Sequence, residues 1–234
     1  MPDRRPVAVL AALELEARGL VQHMPRSETI GPKIGIWEGD GTVVVVGGIG
    51  KVAAALAAQF VHDVFKPRCL VAIGLAGAIR GDTSRGQVVV ATGAVQHDMD
   101  GRPLTSTRGV IPGLNLSVLT ADAPLAEKLL VGAKRSVENP RIVRLGLVLT
   151  GDQIVTSRTV RDALARDFPD GACVDMETAA VAQVAHQNGL PWGAVRVTSD
   201  SADETFDPDD MIDFGVNTAG ELFARIIRDA VADL

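Results

Sequence analysis

Three carboxylates stand at positions where a sheet would end and a helix begin. Glu16 follows the first apolar β-branched run, Glu177 follows Val174-Asp175-Met176, and Asp200 closes the run that ends Thr198-Ser199. Acids gathered at strand ends can hold or pass protons and can stabilise a developing positive charge. Each also has a plain structural account, because acids in a first helical turn complement the helix dipole and Asp is common in turns. A capping box does not account for Glu177, since Asp175 as N-cap would want its partner three positions on, at Thr178. Arg196 interrupts the apolar run Ala194 to Val197 and needs a buried acidic partner there. Glu16 is the expected partner.

Two glycine-rich segments follow apolar runs. Gly48-Ile49-Gly50-Lys51-Val52-Ala53 matches the dinucleotide pattern G-x-G-x-x-G/A, but no acid ends the next strand to hold a ribose, and Val52 stands where a P-loop needs Ser or Thr. A structural turn that packs helix against sheet is the expectation. Gly74-Leu75-Ala76-Gly77-Ala78-Ile79 is built of small residues and leaves room for tight packing or for close approach of a ligand. His97, in His97-Asp98-Met99-Asp100, has acids beside it but no second ligand at metal spacing, so a loop or interface role is expected. No nucleophile elbow of the G-x-S-x-G type occurs.

The elements that must position these groups alternate short β-branched runs with longer helical patterns, the signature of a sheet covered by helices. Strands are predicted at Val7 to Ala12, Ile34 to Trp37, Thr42 to Gly47, Leu70 to Ile73, Gln87 to Val95, Val143 to Leu149 and Gly193 to Ser199. Helices are predicted at Glu14 to Gln22, Gly50 to Val64, Pro124 to Ser136, Thr159 to Asp167, Met176 to Gln187 and Asp209 to Val231, the fifth stopped by Gly189 and Pro191. A hairpin closed by Gly39-Asp40-Gly41 makes the sheet mixed. Ligands are expected where the strands end.

The chain of 234 residues is 47% hydrophobic, enough for an ordered core, and composition is even from end to end without linker or repeat, so residues 1–234 read as one domain. A net charge of −6 with no basic cluster argues against polynucleotides and anionic membranes. Arg4 and Arg5 precede a short apolar run, but Glu14 and Glu16 break it where a signal peptide would need its cleavage region. The longest apolar stretch, Val71 to Ile79, falls short of the roughly 20 residues that span a bilayer. Cys69 and Cys173 lie apart in apolar stretches, which fits a reducing cytoplasm rather than a disulfide framework or zinc site.

These residues also carry a resemblance that spans nearly the whole chain. Ala12-Leu13-Glu14-Leu15-Glu16, Gly48 to Leu56, Gly74 to Ala78, His97 to Asp100, Thr150-Gly151-Asp152, Val174 to Ala179 and Arg196 to Asp203 occur in the order seen in the nucleoside phosphorylase/nucleosidase superfamily, most like its 5′-methylthioadenosine/S-adenosylhomocysteine nucleosidases. The resemblance implies a three-layer αβα sandwich with a central mixed β-sheet. It also implies a homodimer that cleaves the N-glycosidic bond of an adenine nucleoside without metal or cofactor. By the same likeness Glu16 activates or orients the attacking water, with Arg196 in its network. Glu177 accepts from ribose hydroxyls over Met176, and Asp200 serves purine N7 with support from Ser199. Backbone near Ile154 and Val155 reads the adenine edge, Leu75 and Ala76 touch the substrate, and the His97 to Asp100 loop lies near the dimer interface. Phosphorolytic relatives place an Arg shortly before the Gly-x-x-Gly segment, where this chain has Val71-Ala72-Ile73, so hydrolysis is favoured. The nucleosidases usually carry Ser where this chain has Leu75, which turns the 5′ side apolar. A nucleoside phosphorylase, a nucleosidase for futalosine-type or other adenosyl substrates, and a nucleoside-binding sensor are the alternatives, the last disfavoured by retention of Glu16.

Overall fold

The computed structural model describes residues 5–27, 33–39, 41–80 and 84–232. Its strands are β1 (Val7–Ala11), β2 (Gly35–Gly39), β3 (Thr42–Val46), β4 (Cys69–Ala78), β5 (Val88–Gln96), β6 (Leu119–Thr120), β7 (Val143–Thr150), β8 (Gly171–Asp175) and β9 (Trp192–Asp200). The α-helices are α1 (Glu14–Val21), α2 (Lys51–Phe65), α3 (Ala123–Ser136), α4 (Arg158–Asp167), α5 (Thr178–Gln187), α6 (Pro208–Phe214) and α7 (Gly220–Ala232).

The strands run in the order β2-β3-β1-β4-β8-β7-β5-β6, and β9 joins β4 in parallel and β5 antiparallel. Strands β4, β8, β7, β5 and β9 therefore close a ring. The sheet is mixed, as expected, with β2 and β3 antiparallel; Asp40 of their turn lies outside the described residues.

Alternation along β1 shows how the layers form. Ala8 and Leu10 pack into a core with Ala54, Ala57, Ala58 and Val61 of α2 and the alanine-rich α5. Val7, Val9 and Ala11 face a second core with α1, α3 and α7. Successive strand residues point to opposite faces, so an all-apolar strand requires cover on both sides. A third, smaller core joins β7 and β8 to Leu164 of α4.

Several boundaries correct the sequence reading. Strand β8 was not predicted, because Ala172-Cys173-Val174 is too short a run to carry a period. Strand β4 continues past Ile73 to Ala78, its glycines and alanines pairing with β9 and β8. The helix predicted from Met176 begins at Thr178, which leaves Glu177 as the residue before it. The helix predicted from Asp209 to Val231 divides into α6, a π-helical stretch Gly215–Ala219 and α7. A Cβ on Gly215 would collide with Leu15 Cδ1, and one on Gly220 would lie 2.6 Å from the Leu15 carbonyl, so both glycines give α1 its seat.

Candidate active site

Strand ends and the turns after them bring the three acids to one cleft. Of its described lining residues, Glu16, Asp175, Glu177 and Asp200 are acids and none is Lys or Arg. The cleft and its open mouth together enclose about 700 Å³.

Glu16 enters from the first turn of α1 and folds back on the chain that leads into it. Its Oε2 accepts from the Ala12 and Leu13 N–H groups at 3.0 and 2.9 Å, and its Oε1 from Leu75 N–H at 2.9 Å. Burial pushes its carboxyl above the usual range, against the pull of Arg196 and these three donors.

Arg196 stands in the middle of β9, 1% exposed, and does not line the cleft. Its partner is Asp175 rather than the expected Glu16. Nη2 lies 2.7 Å from Asp175 Oδ2 and 3.9 Å from Glu177 Oε2, and Nε donates to Thr178 Oγ1 at 2.9 Å. Asp175 is engaged from every side: Thr150 Oγ1 donates to Oδ1, and Thr178 N–H and Oγ1 donate to Oδ2. The reason for the correction is topological, since β8 and β9 both flank β4 and so bring Asp175 to the guanidinium. Gly74 completes the arrangement: a Cβ there would collide with Arg196 Nη1 and come within 2.8 Å of Glu16 Oε1.

Glu177 precedes α5 and is buried. Its Oε1 accepts from Gly50 N–H at 2.9 Å, so the glycine turn read as packing alone also serves the cleft. Burial first, then the neighbouring Asp175 and Glu16 charges, push the Glu177 carboxyl up to about 7, against Arg196 and the Gly50 donor. Gly50 has φ +95°, a conformation that glycine adopts without strain.

Asp200 terminates β9 on the other wall. The β4–β9 register pairs Ala76 with Thr198 and Gly77 with Asp200, and this one-residue slip turns Ser199 and Asp200 to the cleft. Ser199 Oγ donates to Asp200 Oδ2 at 2.6 Å and Ala202 N–H to Oδ1 at 2.8 Å. Burial raises this carboxyl too, against those two donors. Behind it, Asp203 accepts from Thr205 and meets Arg158 and Arg161, which ties the turn after β9 to α4.

Leu75, Ala76, Ile154, Val155 and Met176 line the same cleft, as the sequence reading expected. It missed Asp175, although that residue lay inside a quoted motif, and it missed Leu13, Ile49, Gln153, Phe206 and Met211. Phe206 and Met211 arrive from the segment between β9 and the π-helical stretch, where no periodicity marks a pocket wall. His97 is buried with its ring against Gly151, and neither ring nitrogen has a partner. Among the described residues no group of three His, Cys, Asp or Glu is arranged to hold a metal.

The fold agrees with comparisons to known proteins. The family model described as the phosphorylase superfamily matches residues 6–232, and the chain belongs to that superfamily. Within it the chain is 32% identical over 203 residues to the 5′-methylthioadenosine/S-adenosylhomocysteine nucleosidase of Anoxybacillus flavithermus, covering 84% of this chain and 85% of the relative. Among solved structures it is similar to the nucleosidase of that name from Neisseria meningitidis in complex with methylthio-immucillin-A. That match has a TM-score of 0.90 and 30% identity, over 98% of this chain and 100% of the other. It shares its fold with the futalosine hydrolase of Helicobacter pylori, at TM-score 0.87 and 24% identity over 98% of each chain.

Proposed function

We propose that this chain, residues 1–234 acting as one domain, hydrolyses the N-glycosidic bond of adenine nucleosides, with 5′-methylthioadenosine and S-adenosylhomocysteine as substrates. The observation that carries the proposal is the cleft's lining, four acids and no cation among the described residues. A phosphate dianion would meet only negative charge there, whereas an oxocarbenium-like ribose would be stabilised. Ala72, in the stretch where phosphorolytic relatives have Arg, is buried in β4.

In this reading adenine lies between Asp200 and the backbone at Ile154 and Val155, and ribose lies over Met176 with its hydroxyls on Glu177. Glu16, held by three backbone donors, orients water toward the anomeric carbon. Arg196 acts through Asp175 and Glu177 rather than by touching the substrate. Asp200 gives a proton to N7, so that adenine leaves neutral, while Ser199 fixes the carboxyl's rotation. As the C–N bond breaks, its electron pair goes to the purine. The positive charge left on the sugar is offset by Glu177 until water bonds to the anomeric carbon and passes its proton to the Glu16 carboxylate.

A homodimer is part of the proposal. Helix α2 and the turn before it leave Ile49, Val52 and Leu56 at 54%, 82% and 52% exposure beside the His97 to Asp100 loop, an apolar face of the kind that associates. No helix among the described residues is long and apolar enough to cross a membrane. A reducing cytoplasm fits the two buried free cysteines.

The test is incubation with 5′-methylthioadenosine with and without phosphate. Adenine and free methylthioribose at equal rates are expected, and accumulation of a pentose 1-phosphate would overturn hydrolysis. Because Leu75 offers no partner to a 5′-hydroxyl, kcat/KM for methylthioadenosine should exceed that for adenosine. The margin is about 5- to 150-fold, the equivalent of roughly 1–3 kcal/mol for an unpaired hydroxyl.

A further inference from the structure

Three loops meet outside the ribose end of the cleft, and their charged residues have no part in the chemistry above. Lys51 opens α2, Asp98 follows β5 and Asp152 follows β7. Lys51 Nζ donates to Asp98 Oδ1 at 2.6 Å and lies 3.9 Å from Asp152 Oδ2. Asp98 Oδ2 accepts from Asp152 N–H at 3.0 Å, and Asp152 Oδ1 accepts from Lys51 N–H at 2.8 Å. Each residue is thus bonded to the other two.

The neighbouring donor gives this triangle its meaning. Gly50 N–H holds Glu177 while the next N–H, that of Lys51, holds Asp152. The two peptides are linked, so rotation of the turn would move both donors. The turn has little stiffness of its own, since Gly48 and Gly50 sit at φ +97° and +95° and glycine retains the greatest backbone freedom. The side chains of Lys51, Asp98 and Asp152 are 18%, 31% and 47% exposed. Ion pairs that wet add little stability, so geometry rather than stability is what this triangle supplies.

We propose that Lys51, Asp98 and Asp152 are positioning residues that fix the Gly50 N–H and thereby the Glu177 carboxylate on the ribose hydroxyls. The proposal rests on the reading of Glu177 as the ribose acceptor. Removing the ammonium leaves Asp98 and Asp152 repelling across the turn, frees the Lys51 N–H from its acceptor, and lets the Gly50 donor swing away from Glu177. Binding of the sugar hydroxyls then weakens, while Asp200 and Glu16, anchored on other elements, keep their geometry.

The experiment compares Lys51→Met, Lys51→Arg, Asp98→Asn and Glu177→Gln with the native chain, using 5′-methylthioadenosine and its 2′-deoxy analogue, and reads kcat and KM for each. The ratio of kcat/KM between the two nucleosides isolates hydroxyl recognition and is insensitive to the fraction of folded protein. Lys51→Met and Asp98→Asn are expected to lower that ratio about 10-fold, mainly through KM, within the roughly 10²-fold that an ångström of misplacement costs. Lys51→Arg, which keeps the charge, should recover most of it. A native ratio in Lys51→Met and Asp98→Asn while Glu177→Gln loses it would overturn the proposal and leave the Glu177 reading intact. A native ratio in Glu177→Gln would instead remove the Glu177 reading, and the positioning role with it. Should Lys51→Met not fold, Asp98→Asn carries the same decision.

Discussion

The two walls of the cleft handle negative charge in opposite ways. At the ribose wall Glu16, Asp175 and Glu177 surround one guanidinium, and each carboxylate has a further fixed donor: backbone N–H groups for Glu16 and Glu177, threonines for Asp175. At the purine wall Asp200 has a serine hydroxyl and one N–H and no cation at bonding distance. A charge that must persist is compensated in place, as burial requires. Burial raises carboxyls on both walls, Glu177 up to about 7, but only at Asp200 is there no guanidinium at bonding distance to oppose it. In the proposed mechanism this contrast sets Asp200 apart as the acid that protonates the purine.

The largest effect that would break this contrast is on the barrier. Asp200→Asn retains shape and hydrogen bonding but has no proton to give, and kcat is expected to fall about 10²- to 10⁴-fold while the nucleoside still binds. Single-turnover adenine release on folded variant protein measures it, and near-native turnover would remove the proton-donor role. Glu16→Gln, on the opposite wall, should also lower kcat with little change in binding, because its proposed partner is water.

Asp175→Ala sharpens the comparison from the stability side. It strands a guanidinium that is 1% exposed, and breaking a buried pair by deleting one partner costs about 3–5 kcal/mol. A Tm decrease of roughly 6–20 °C is expected at about 2–4 °C per kcal/mol for a chain of this size. Thermal unfolding measures it, and a shift of a degree or less would mean that Glu16 and Glu177 suffice to hold Arg196.

The smallest effect concerns pH. Glu16, Glu177 and Asp200 all have pKa values raised by burial, so over the interval between ordinary and raised values the folded chain binds more protons than the unfolded one. Their contribution to stability is greatest below the ordinary carboxylate range and is lost as pH rises through the raised values. Native Tm should therefore decline between about pH 5 and about pH 8. Asp200→Asn should decline less steeply, because the carboxyl that burial raises is gone. Parallel curves for the two proteins would show that Asp200 titrates alike in the folded and unfolded chains.

The acids were legible in the sequence because strand ends are marked by β-branched runs, and Glu16, Glu177 and Asp200 each abut one. The mixed sheet with helices on both faces was legible for the same reason. What could not be read was which charges meet. Arg196 was expected to face Glu16, yet Asp175 reaches it through β8, a strand too short to announce itself, and through the extension of β4 into glycines and alanines that carry no hydrophobic period. The split of the last helix was hidden because its apolar spacing continues through Gly215 and Gly220. Only the approach of Leu15 distinguishes those glycines. Phe206 and Met211 reached the cleft on a segment whose sequence signals only turn and cap.

The ring of five strands bears on how the protein comes off the ribosome. It is closed by pairing Leu70 with Trp192, and Arg196 arrives on that last strand. A nascent chain presents Glu16, Asp175 and Glu177 before the residue that neutralises them has emerged. Until β9 docks, those acids have no guanidinium among them, so burying them is costly. The guanidinium that makes burial of the acids tolerable thus comes with the final strand, ahead only of α6, the π-helical stretch and α7.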